Sequence, residues 1–199
     1  RYDRVYQNSL QAKAVVEIEK FKGNDFLVLA GSSWQKEEEI LAKAFKGQYK
    51  LIIAPHDISE SHLKSIENLF PEGIRYSVYK GEGNILIIDN IGMLSNLYQY
   101  ADVAIVGGGF TGALHNILEP ATFGVPVIFG PNHKKFHEAS DMLKNGAAFE
   151  VREENDFKAL VNDLRMDKVQ FPLLKEKNKR FINERRGATE VIFNTILKD

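Results

Sequence analysis

Short apolar runs, each followed by a charged stretch with helical period, recur along the chain and limit its fold more than any other feature. Residues 26–30, 50–54, 74–79, 85–88, 102–106 and 126–129 read as strands. Helices are expected over 35–45, from near Ser59, over 93–100, 116–123 and 136–144. The remainder from Asp156 onward is mostly charged and helical. Strands that are apolar at successive positions are covered on both faces, the mark of a parallel sheet with helices on either side. The expected class is therefore α/β, a Rossmann-like parallel sheet with helices on both faces. In such folds ligands sit beyond the C-terminal ends of the strands.

Composition removes several function classes. The 199 residues carry 26 basic and 27 acidic side chains, a net charge of −1. A domain that neutralises nucleic-acid phosphates needs a basic excess, so nucleic acid is not an expected partner. Without cysteine there is no disulfide, thiolate metal site or cysteine nucleophile. The apolar runs fall far short of the roughly 20 residues that cross a bilayer, and no signal-peptide pattern opens the chain. Arg1-Tyr2-Asp3-Arg4 lacks an initiator Met and enters a helical pattern at once. The sequence is accordingly expected to be cut from a longer protein. No metal or other cofactor is expected; Glu37-Glu38-Glu39 reads as an exposed first helical turn, where acids suit the dipole.

The sharpest local signal is a glycine turn. Gly107, Gly109 and Gly112 follow a strand with the G-x-G-x-x-G spacing of dinucleotide sites. That fingerprint also needs an acid about 20 residues on, to hold a ribose. The strand at 126–129 ends instead in Gly130-Pro131-Asn132-His133-Lys134-Lys135. A nicotinamide or flavin site is disfavoured. Two readings of the turn remain: its backbone N–H groups cradle a phosphate, or its glycines only allow close strand–helix packing.

Next comes His115-Asn116-Ile117-Leu118-Glu119-Pro120-Ala121. Proline is tolerated in a first helical turn, so a helix is expected to begin near Asn116. His115, Asn116 and Glu119 would then share one face. A carboxylate there can accept two hydrogen bonds from a ribose diol. Equally, Asn116 and Glu119 have the spacing of an N-x-x-E capping box.

With Gly124-x-Pro126-Val127-x-x-Gly130-Pro131, these segments resemble the C-terminal domain of bacterial 3-deoxy-D-manno-oct-2-ulosonic acid (Kdo) transferases. Arg1-Tyr2-Asp3-Arg4-Val5, Gly31-Ser32-Ser33-Trp34, Ala54-Pro55-His56 and Ile91-Gly92-x-Leu94-x-x-Leu97-Tyr98-x-x-Ala101-Asp102 agree in order. The likeness runs through nearly the whole chain. It implies one nucleotide-sugar-binding domain, residues 1–199, forming the C-terminal half of a GT-B glycosyltransferase whose N-terminal acceptor half is absent. Such an enzyme moves Kdo from CMP-Kdo to a lipid A precursor in lipopolysaccharide biosynthesis, with inversion, at the cytoplasmic face of the bacterial inner membrane. Membrane contact would come through the parent enzyme and not through a transmembrane segment. No catalytic base is expected in this half, which alone would be inactive.

The resemblance further implies that Glu119 holds the cytidine ribose. The backbone near Gly109, Gly112, His115 and Asn116 would hold the phosphate. Gly31, Ser32 and Ser33, with Gly92, Met93 and Leu94, would wall the nucleotide pocket. Arg4 and His56 are candidate partners of the sugar carboxylate or phosphate, although His56 equally suits a loop histidine packed on a neighbouring turn. Departures from the pattern are Ser33 for threonine, Ala113-Leu114 for a glycine pair (narrowing the room for a ligand), Met93 for an acid, and Lys135-Phe136 for Asn-Phe. A UDP-sugar GT-B transferase or epimerase, and a non-catalytic nucleotide-binding module, are the alternatives. In the C-terminal helical segment, about 171–199, the apolar set Phe181, Ile182, Val191, Ile192 and Ile196 is expected to cap this domain's own core.

Overall fold

The computed structural model describes residues 1–187. Its sheet has seven parallel strands in the order β3-β4-β2-β1-β5-β6-β7. These are β1 (Leu27–Ser33), β2 (Lys50–Pro55), β3 (Ile74–Arg75), β4 (Ile85–Ile87), β5 (Val103–Val106), β6 (Val127–Phe129) and β7 (Ala148–Glu150). The helices are α1 (Tyr2–Leu10), α2 (Val16–Lys22), α3 (Gln35–Ala44), α4 (Glu60–Leu69), α5 (Leu94–Leu97), α6 (Leu118–Thr122), α7 (His137–Lys144), α8 (Glu154–Met166) and α9 (Gln170–Asn183). No described helix is long and apolar enough to cross a membrane.

Side-chain alternation divides each central strand between two layers. Val28, Ala30, Val103 and Ile105 face one way, against Ile40 and Leu41 of α3, Leu63 of α4 and Phe157 of α8. Leu27, Leu29 and Ala104 face the other way, with Ile18 of α2 and Leu97 of α5. Val106, Val127 and Phe129 complete that second face with residues of α1, α6, α7 and α9. Phe181 and Ile182 are buried there, so they do cap this domain's own core. Val191, Ile192 and Ile196 lie outside the described residues.

Several expected elements differ, and α2 and β7 were not anticipated. The run 74–79 is a strand only at Ile74–Arg75; a 3₁₀ turn at Tyr76–Val78 follows. Asp89 explains the break, since its carboxylate accepts both the Ser77 N–H and the Ser77 hydroxyl, a local partner that replaces the ladder. The helix expected at 93–100 is α5 followed by a 3₁₀ turn at Tyr98–Tyr100. β7 is an edge strand of three residues ending in Glu150, too short for its pattern to stand out.

Direction along the sheet reverses at β1: β2 lies on one side and β5 on the other. A crevice opens at that reversal, above the C-terminal ends of β1 and β5. Gly107 continues β5 there, its N–H donating to the Gly31 carbonyl at 2.9 Å. A Cβ on Gly107 would stand 1.8 Å from the Ser32 carbonyl oxygen, a backbone atom that cannot swing aside. Gly107→Ala should therefore cost about 1–3 kcal/mol, the scale of core overpacking, read by urea unfolding.

At the opposite end of the sheet Asp102 ties four segments together. It accepts the Leu27 N–H at 2.9 Å and bonds Lys22 of α2 and, at 3.1 Å, Lys175 of α9. Burial alone would raise its pKa, but the Lys22 hydrogen bond, the Leu27 N–H and the two ammonium charges outweigh this and lower it. A depressed folded pKa stabilises the protein above the unfolded value, near 3.9, and that contribution disappears as pH falls through the folded value. Asp102→Asn should reduce the melting temperature at neutral pH and flatten its decline below about pH 4, as measured by thermal scans across pH.

Candidate functional site

The corner where β1 and β5 end is built from three loops. β1 carries an irregularity between Gly31 and Ser33, and Ser32 takes a φ of +50°, the only positive value among described non-glycine residues. The bulge turns Ser32 toward the crevice and sends Ser33 inward, where it is fully buried. The Ser33 hydroxyl donates to Glu38 at 2.9 Å, and His62 of α4 bonds the same carboxylate oxygen at 3.1 Å. Ser33 thus positions the corner and does not line it, a correction to its expected place in the pocket wall.

The acidic triplet at the start of α3 is also corrected. Glu37 and Glu38 are buried, at 0% and 1% exposure, and are not an exposed first turn. Glu37 accepts the Gly108 N–H at 3.0 Å and the Trp34 N–H at 3.2 Å. Burial raises its pKa, while N–H groups of Glu37 itself, Trp34, Gly108 and Phe110 stabilise the charged form and limit the rise. The φ of Gly108, +87°, is what aims its N–H at this carboxylate. N–H groups that could have cradled a ligand phosphate are therefore engaged by an anion from the chain itself. Carbonyls of the turn are also paired: Gly108 accepts from Ala113 at 3.0 Å and Gly109 from Asn132 at 2.7 Å. Gly109 is buried against Gly130 backbone, with no room there for a ligand. Between the two sequence readings of residues 107–110, close packing is the one observed.

Three rings from three loops meet beside this turn. Trp34 stacks on His56 with centroids 4.4 Å apart, and His56 lies 4.6 Å from His115. The Trp34 indole N–H donates to His115 Nε2 at 3.3 Å. Burial first, then the neighbouring His56, lowers the pKa of His115. His56 does pack against rings on neighbouring loops, and it also lines a cleft between the loops after β1, β2 and β4.

Asn116 and Glu119 are brought together, though not as a capping box. The Asn116 side-chain amide donates to Glu119 at 2.8 Å, and its oxygen accepts the Leu118 N–H at 3.3 Å. The helix α6 begins at Leu118, two residues later than expected, because this Asx-type bond holds 116–117 as a turn; Pro120 still falls in its first turn. Gly112 has a φ of +79°. Ala113 is exposed, and Leu114 is buried in the core with Val106 and Ile117, so its bulk points away from the crevice.

A cleft of about 160 Å³ is lined by Ser32, Pro55, His56, Ile91, Gly92 and Leu94 among others, joining the ends of β1, β2 and β4. Gly31 lies within β1, against the Tyr98 hydroxyl. Met93 packs on the core beneath α5. Arg4 is exposed on α1, and its side chain makes no hydrogen bond or ion pair among the described residues. Trp34, Glu37, Glu38 and His62 were not singled out from sequence as parts of this corner. The spacing of Trp34 and Glu37, loop residue and third helical position, was the available signal for the first two. Among the described residues no group of three or more His, Asp or Glu could hold a metal ion.

No protein-family model matches the chain. A 3-deoxy-D-manno-octulosonic acid transferase of Aquifex aeolicus is 35% identical over 156 residues, 73% of this chain and 43% of that protein. A bifunctional glycosyltransferase/methyltransferase of Fusobacterium nucleatum is 31% identical over 180 residues, 80% of this chain and 28% of that one. The chain thus spans less than half the length of these curated relatives. Among solved structures, the C-terminal CMP-Kdo binding domain of WaaA from Acinetobacter baumannii matches with a TM-score of 0.73 and 20% identity, over 92% of this chain and 99% of that one. Other solved glycosyltransferases share the architecture at lower similarity. In sequence the chain is similar to the 3-deoxy-D-manno-octulosonic acid transferases, and its fold is that of the C-terminal CMP-Kdo binding domain of WaaA.

Proposed function

We propose that this chain is the donor-binding domain of a Kdo transferase. It holds CMP-Kdo while Kdo passes to a hydroxyl of a lipid A precursor, bound chiefly by an N-terminal half. The observation that carries this reading is the Asn116–Glu119 pair. Glu119 lies near enough to act electrostatically on Tyr98, whose hydroxyl abuts Gly31 of β1, in a chain 35% identical to a Kdo transferase. One oxygen of Glu119 accepts from Asn116, which fixes the carboxylate; the other has no hydrogen-bond partner among the described residues and can accept a ribose hydroxyl.

The phosphate would sit over residues 112–116, since Glu37 occupies the glycine turn. His115 and the Asn116 region supply its donors; α6, only five residues long, adds little dipole. Fixed donors at a departing phosphate stabilise the charge that grows there as the glycosidic bond breaks. Ser32, Gly92 and Leu94 would wall the nucleotide, with Gly31, Met93 and Ser33 supporting that wall from behind. Arg4, exposed on α1, is a candidate partner of the sugar carboxylate. The general base that deprotonates the acceptor belongs to the N-terminal half, so the 199-residue chain alone binds donor and transfers nothing. The parent enzyme works as a peripheral protein of the cytoplasmic membrane face.

Calorimetry with CMP and UDP tests the reading, with CMP expected to bind more tightly. Glu119→Ala should weaken CMP binding by about 1–3 kcal/mol, the scale for a hydrogen bond to a charged group, with the melting temperature unchanged. Lost stability with unaltered CMP affinity would make the pair a purely structural turn. Equal or tighter binding of UDP would favour a UDP-sugar enzyme.

A further inference from the structure

Trp34 is absent from the set of residues so far given a role toward the donor, yet its geometry gives it one. Its backbone N–H is held by Glu37 at 3.2 Å, and Glu37 also holds Gly108 at 3.0 Å. Its indole N–H reaches across the crevice wall to His115 Nε2 at 3.3 Å. The backbone N–H of His115 returns to the Gly107 carbonyl at 3.0 Å, next to Gly108. The circuit from the glycine turn through Glu37, Trp34 and His115 is therefore closed. His56 packs against both rings, at 4.4 and 4.6 Å, and leaves them little freedom to rotate.

A ring nitrogen that accepts an indole N–H cannot carry a proton. The His115 proton must then sit on Nδ1. That nitrogen has no partner among the described residues and is not among the buried unsatisfied atoms, so it is open to solvent. We propose that Trp34 is a positioning residue that locks His115 as the Nδ1–H tautomer, presenting one fixed N–H donor to an anionic oxygen of the bound nucleotide. The inference rests on the donor-binding reading for the identity of that oxygen; the tautomer itself does not. The titratable neighbour of His115 is His56, on the loop after β2. His56 is the group acting on His115 electrostatically.

The test has a ligand-free arm and a binding arm. In the native chain, ring nitrogen-15 shifts at neutral pH should show His115 with its proton on Nδ1. Trp34→Phe keeps the stack on His56 but removes the indole N–H, and should shift the ring toward the Nε2–H form with an unchanged melting temperature. In calorimetry, Trp34→Phe should weaken CMP binding about ten-fold, the loss expected for one hydrogen bond to a charged group. His115→Ala should do the same, and the double variant should be no worse than either single one. Additive losses, or an Nε2–H tautomer in the native chain, would overturn the proposal. If the native chain binds no CMP while the tautomer behaves as stated, the donor-binding reading fails and the positioning of His115 by Trp34 stands. Should Trp34→Phe lower the melting temperature, the native nitrogen-15 spectrum alone decides the tautomer.

Discussion

A single buried carboxylate organises the corner of the sheet on which every functional statement depends. Taking a carboxylate out of water costs several kcal/mol unless hydrogen bonds replace the lost hydration. Glu37 finds them in the N–H groups of Trp34 and Gly108, with those of Glu37 itself and Phe110 adding to the same field. The dependence runs both ways. Those N–H groups would be orphaned donors without the carboxylate, and an orphaned buried N–H is itself costly. The first turn of α3 and the glycine turn after β5 are far apart in sequence, yet each is stable in this form only with the other.

This changes how a glycine-rich turn should be read. Three glycines after a strand invite a phosphate because they expose N–H groups to a concave space. Here the concavity forms as the pattern implies, but the anion in it is a side chain. Under the proposed function the ligand-facing surface would lie further out, at residues 112–119. There the Asn116–Glu119 bond and the His115 ring present polar groups that are fixed at one end and free at the other.

The strands of the inner sheet were legible from sequence because they are apolar on both faces and end in turn residues. Residues 50–54 and 102–106 lie within one residue of β2 and β5. Parallel pairing followed from that pattern. What escaped depended on tertiary partners. Glu37 and Glu38 look like any acidic first turn until the glycine turn, Ser33 and His62 are placed beside them. Ser33 differs from Ser32 only by a backbone irregularity that no residue type announces. The start of α6 slipped to Leu118 because the Asn116 side chain satisfied a local N–H. Propensity favours asparagine equally at a cap and in such a turn. β7 was missed since three residues carry too little period to separate strand from loop.

The size of the cleft bears on how such a corner could work. A pocket that buries a small ligand usually encloses several hundred Å³, and this one holds about 160 Å³ between the loops after β1, β2 and β4. It can wall one side of a nucleotide and cannot enclose a nucleotide sugar. Catalysis by stabilising a leaving phosphate requires exclusion of water, because each fixed donor is worth far more where the dielectric is low. A second wall is thus demanded by the chemistry proposed, independently of any likeness. In a GT-B enzyme that wall is the other domain. Under the proposed function the division of labour would be rigid donors on this domain, built on a buried carboxylate and a stacked ring triplet, and the acceptor with its base on a surface that closes over them.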